Sequence, residues 1–161
     1  LLVTFISVSP ASATVFGGKF PRSSLQFQYA GNHRYYGNVW QGAANWSATP
    51  TNINISPYPG VPYVLDISVY DIYSSDTWWG VTYFNPCSGS GCSYTRNYFY
   101  LNQRTLDPES DFTRTKVATH EFGHTIGLAH APGGVTSIMN QGHLSYNKPQ
   151  TYDNNDVKRL Y

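Results

Sequence analysis

The chain has 161 residues, a formal net charge of +1 and only 12% charged side chains, so it carries no electrostatic footprint for a nucleic acid or an anionic membrane. This length suits one domain with a core large enough to stand without disulfide staples, and leaves no room for a second. Aromatic residues make up 16%, including 14 tyrosines, a balance commoner in secreted proteins than in cytosolic helical ones.

The first thirteen residues, LLVTFISVSPASA, pass from apolar to small and end in Ala11-Ser12-Ala13. This is the layout of an export signal cleaved before Thr14, shortened at its front because the start methionine and basic leader are missing. A buried first strand is the competing reading. The apolar run falls well short of the ~20 residues that cross a hydrocarbon core. Residues 14–161 then read as one continuous domain.

Alternation of apolar and polar residues predicts a strand over 25–29, followed by a polar turn through Gly31, Asn32 and His33. Val39, Trp40, Ala43, Ala44 and Trp46 recur at near-helical spacing, predicting a helix over 36–47 that Thr49-Pro50 stops. Strands follow over 52–55, 64–70, 79–84 and 97–101. Between the last two lies CSGSGC, where Cys87 and Cys92 suit a small disulfide loop in an exported protein; a zinc site from this pair lacks a second ligand pair nearby. A long helix starts near Asp111, capped by Ser110 or Asp111, and ends near Gly127. A short helix over 154–161 closes the chain. Strands interleaved with helices predict an α/β or α+β fold, a twisted sheet packed on two main helices.

The segment His120-Glu121-Phe122-Gly123-His124-Thr125-Ile126-Gly127-Leu128-Ala129-His130 carries the chemistry. Positions four apart on a helix share a face, so His120 and His124 can offer two imidazoles to one ion. Gly127 can adopt the left-handed conformation that turns the chain back and lets His130 reach the same ion. Three neutral imidazoles leave zinc an open fourth position for water, the arrangement of a catalytic site. Glu121 then stands beside the metal as the carboxylate that takes a proton from that water and passes it to the departing amine. At background residue usage the five fixed positions arise by chance in roughly one chain of this length in a hundred thousand. The same shell predicts loss of activity in acid, as the imidazoles protonate and release metal.

At these residues the chain resembles the metzincin zinc endopeptidases, most closely the compact catalytic domain of a matrixin. Ser137-Ile138-Met139-Asn140 contains the chain's sole methionine and matches the family's Met-turn; an ordinary core methionine is the alternative. The resemblance implies a zincin fold with a five-stranded mixed sheet, an antiparallel edge strand over 79–84 that pairs with substrate, and a pocket wall over 141–149 for the residue after the scissile bond. It implies one catalytic zinc; calcium is possible without assignable ligands. The chain departs from matrixins in showing no latency segment and in having no histidine before Cys87 to build a second zinc site, His33 apart. Gln141 stands where astacin-like relatives place a metal-binding tyrosine. Tyr146 is open between approaching the site and packing, and His143 between facing the cleft and lying on the surface. Asn45-Trp46-Ser47 and Asn54-Ile55-Ser56 read as glycosylation sequons, the first disfavoured by its place in a helix.

The leading expectation is thus a secreted zinc endopeptidase. A glycan- or cell-wall-binding module with a structural zinc is the alternative, distinguished by Glu121, which a structural site does not need.

Overall fold

The computed structural model describes residues 15–16, 18–60, 65–84 and 91–161. The expected export signal, Cys87 of the expected disulfide and the first residue of the strand expected over 64–70 lie outside the described residues. Among the described residues, no helix is long and apolar enough to cross a membrane.

The chain runs β1 (Gly18–Lys19), β2 (Ser24–Tyr29), α1 (Tyr36–Ser47), β3 (Asn54–Pro57), β4 (Ile67–Ile72), β5 (Gly80–Phe84), β6 (Cys92–Ser93), β7 (Asn97–Asn102), α2 (Gln103–Leu106), α3 (Asp111–Thr125) and α4 (Thr151–Leu160). Five strands form a mixed sheet in the order β3-β2-β4-β7-β5, parallel except for β5, which runs antiparallel to β7 at the edge. The fold is α+β, as the alternation of strand and helix patterns predicts. In β2 the alternation works as read: Leu25, Phe27 and Tyr29 are buried while Ser24 and Gln26 face water. Central β4 is buried along most of its length, as expected for a parallel strand flanked on both sides.

Helices α1 and α3 pack together on one face of the sheet. Phe122 of α3 lies between Phe27 and Phe99, with ring centroids 5.4 and 5.0 Å away, and none of its surface is exposed. Truncating such a residue to alanine costs roughly 3–5 kcal/mol. Helix α1 crosses α3 closely at Gly42, where a Cβ would stand 3.0 Å from the Ala118 backbone. Trp46 donates to Thr119 O at 2.8 Å, and Asn45 donates to Thr119 Oγ1 at 3.1 Å and Asn147 O at 2.9 Å. Asn45 is therefore buried and engaged, which removes its sequon from use in the folded protein. The opposite face of the sheet carries Tyr70, Tyr83, Tyr98 and Tyr100 in mutual ring contact.

Several boundaries differ from the sequence reading. The third strand begins two residues later than expected and runs through Pro57, because its register is fixed by pairing with β2, Ser24 opposite Asn54. Helix α4 starts at Thr151 rather than 154: Gln150 and Asp153 form a reciprocal capping box that initiates the helix a turn earlier. The two-residue ladder of β1 with β6 and the single turn of α2 have no periodicity long enough to announce them.

Candidate metal centre

Helix α3 is set at its start by Ser110, whose hydroxyl accepts from Thr113 N at 3.2 Å, and at its end by Gly127. There Gly127 N donates to His124 O at 2.9 Å and Leu128 N to Gly123 O at 3.0 Å, the paired bonds of a Schellman ending. Gly127 has φ +105°, and a Cβ on it would meet Gly18 O at 2.5 Å. Glycine is thus required both by backbone conformation and by the chain lying against it.

That turn delivers His130 to the two helical histidines. The ring centroids lie 4.6 Å apart for His120 and His124, 5.2 Å for His120 and His130, and 4.9 Å for His124 and His130. One ring nitrogen from each falls within 4.8 Å of the others. Nδ1 of His120 hydrogen-bonds Ile138 O at 2.8 Å, and Nδ1 of His124 hydrogen-bonds Leu128 O at 2.8 Å. Each carbonyl fixes its ring so that Nδ1 carries the proton and Nε2 is left with a free lone pair, the usual support of a metal-binding imidazole. Burial and mutual repulsion hold the His120 imidazole well below its ordinary pKa, and burial pushes His124 down to about 4. The rings are therefore neutral near pH 7, the form a metal requires. Donor type, convergence and protonation all fit a single zinc ion with one position left open.

Met139 lies beneath this arrangement. A Cβ on Gly123 would come 2.4 Å from its sulfur and 3.0 Å from Trp46, so the helix turn between the first two histidines rests directly on the methionine. The turn is tied down by Asp153, which is 1% exposed. Its carboxylate accepts from Ser137 Oγ, from Ile138 N at 2.9 Å and from Gln150 N at 2.7 Å. Since Ile138 O is the acceptor for His120, Asp153 orients a metal-facing ring through the turn.

Glu121 is 4% exposed, with its carboxylate turned to β5. Thr82 Oγ1 donates to Glu121 Oε2 at 2.7 Å, and a Cβ on Gly80 would stand 2.6 Å from Glu121 Oε1. Burial pushes the carboxyl up to about 7, opposed by the Thr82 hydrogen bond and the Lys116 charge. The three histidines, Glu121 and the edge strand together line a cleft of about 440 Å³, within the range of ligand sites.

The matrixin family model matches residues 24–161. The chain is a matrixin. It is accordingly a zinc metalloendopeptidase by family, which sets aside the reading of a binding module with a purely structural metal. Among curated proteins, none matches the chain.

The remaining sequence candidates divide. Tyr146 braces the Met-turn of this matrixin, with its hydroxyl 3.3 Å from both Ser137 N and Ser137 O. His143 sits on the exposed side of the cleft, 3.0 Å from Glu109 Oε2 and against the Trp79 ring. His33 is apart from the triad, bound to Tyr29 O at 2.6 Å. Three residues of the site were not singled out by sequence. Thr82 and Asp153 reach it only through tertiary contact and left no local signal. Lys116 did leave one: it stands four residues before His120, on the same helical stripe.

Proposed function

We propose that this matrixin is an exported endopeptidase in which His120, His124 and His130 hold one zinc ion and Glu121 is the general base and acid. Convergence of three neutral imidazoles with a carboxylate in one cleft is the observation that carries the reading. A zinc ion bound there supplies Lewis acidity, making water a nucleophile near neutral pH and polarising the scissile carbonyl. The chain's own groups do the rest. Nδ1 hydrogen bonds to Ile138 O and Leu128 O keep two rings aimed at the centre. Edge strand β5 offers backbone groups along one side of the cleft, where an extended peptide can add as a further strand. Glu121, with a pKa near 7 in its buried setting, is balanced between accepting the proton of water and returning it to the amine that leaves.

Glu121→Ala tests the assignment, because base and ligands are separate residues. Elemental analysis should find undiminished zinc, while peptide cleavage falls by about 10²–10⁴-fold. Comparable turnover by the variant would remove Glu121 from the chemistry.

Export belongs to the same reading, supported by the signal layout of residues 1–13 and the Cys87–Cys92 pair. The secreted product should begin at Thr14, and mass analysis before and after reduction should differ by two hydrogens. The enzyme is proposed to act as a monomer on peptides and proteins, with no nucleic acid or membrane partner.

A further inference from the structure

Lys116 is 3% exposed, yet it forms none of the ion pairs found among the described residues. Its ammonium donates to Asn140 O at 2.9 Å, the one hydrogen bond it makes among the described residues, in a group that carries three donors. It lines the same cleft as Glu121 and the histidines. The Glu121 carboxylate already accepts from Thr82. Glu121 acts on the ammonium through space, but no ion pair joins the two among the described residues, and a buried cation with unfilled donors is costly unless it is paired or held for a ligand.

Position gives the cation a use. Lys116, His120 and His124 follow one another at four-residue intervals on α3, so Lys116 stands one turn, roughly 5–6 Å, before the metal-facing His120. The same cleft is walled in part by apolar side chains, Trp79, Val81, Phe84 and Val117. Asn140, which holds the ammonium, precedes Gln141 and Gly142 of the cleft wall. A cleft with apolar walls and one buried ammonium suits a side chain of methylene groups ending in a carboxylate.

We propose that Lys116 is a specificity-determining residue that receives the carboxylate of a substrate glutamate adjoining the scissile bond. The proposal rests on the hydrolase reading above. It makes this cleft selective for an acidic side chain through a charge-assisted hydrogen bond, with the isosteric glutamine unable to supply the charge.

The zinc-loaded protein is offered acetylated, amidated peptides, and kcat/KM is compared for Glu and Gln at each position around the cleaved bond. The wild type should favour Glu at one flanking position by at least about tenfold. Lys116→Leu should erase that preference, and Lys116→Arg should keep part of it. Equal cleavage of Glu and Gln peptides everywhere by the wild type overturns the proposal, as does a preference that survives in Lys116→Leu. Free-acid peptides form a second arm: selectivity seen only with a free C-terminus assigns the ammonium to a chain-terminal carboxylate and overturns the side-chain assignment. Lys116→Leu should melt at or above the wild-type temperature, since an apolar residue replaces a lone buried charge; should it not fold, the wild-type Glu to Gln ratio and Lys116→Arg decide. If zinc-loaded wild type cleaves no peptide, the hydrolase reading fails by itself. Calorimetric binding of the Glu and Gln peptides then decides on Lys116, and equal affinities overturn it.

Discussion

Thr82 and Glu121 are 39 positions apart, yet the acid–base role proposed for Glu121 rests on their contact. The hydroxyl donates to one carboxylate oxygen and opposes the upward push of burial on the Glu121 pKa. Thr82→Val keeps the shape and removes the donor, leaving a buried oxygen with one partner fewer, a change worth about 1–3 kcal/mol. The expected result is zinc content and KM near wild type, kcat lower by roughly tenfold, and an acid limb of the pH–rate profile moved to higher pH. An unchanged profile in the Val variant would deny Thr82 this role. At the same scale Met139 explains Gly123, since any side chain there collides with the methionine sulfur.

Helix α3 shows how one element's two ends serve different purposes. Ser110 caps the first turn, far from the histidines, whereas Gly127 both ends the helix and aims the chain that carries His130. Ser110→Ala should therefore cost about 1 kcal/mol of stability with kcat/KM of the folded enzyme unchanged. Gly127→Ala should cost more than ~1 kcal/mol, because alanine is strained at positive φ and its Cβ meets Gly18 O. It should also weaken zinc binding by displacing His130. Denaturant melts of both variants, read beside zinc titrations, separate a cap from a ligand-aiming turn. Edge strand β5 makes the complementary contribution. It places Thr82 against Glu121 from its inward face, and among the described residues only β7 pairs with it, which leaves its other edge to the proposed peptide.

For the whole molecule, folding concentrates imidazoles and a carboxylate in a buried cluster, and this sets how the metal-free protein responds to pH. His120 and His124 have folded pKa values below the unfolded value of ~6.5, His124 at about 4. The unfolded chain therefore binds their protons first, and stability is lost as pH falls through that interval. Glu121 acts in the opposite sense, because its folded pKa of about 7 lies above the unfolded value of ~4.3 and lets the native state take a proton. Two strongly shifted histidines, aided by His130, outweigh one carboxyl. The melting temperature of the metal-free protein should thus drop between about pH 6.5 and 4.5, and a flat or rising profile would contradict the burial assigned to these rings. Zinc binds only the folded arrangement, so chelation should lower the melting temperature at pH 7, by an amount that follows free zinc concentration.

What the sequence by itself determined was whatever depends on neighbours along the chain. The four-residue spacing of His120 and His124, the glycine that ends α3 and the alternation in β2 follow from local helix and strand geometry, so they are legible in a string of letters, whereas the sequence left the cap open between Ser110 and Asp111. Tertiary structure alone decided that Thr82 meets Glu121, that Asp153 ties down the turn beneath His120, and that β3 starts where β2 pairs with it, whereas the family resemblance already implied the edge position of β5. These depend on which distant surfaces bury one another, and no local spacing encodes that choice. Lys116 lies between the two cases. Its place on the histidine stripe follows from helical geometry, but its burial with a single hydrogen-bond partner, Asn140 O, arises only in the folded cleft.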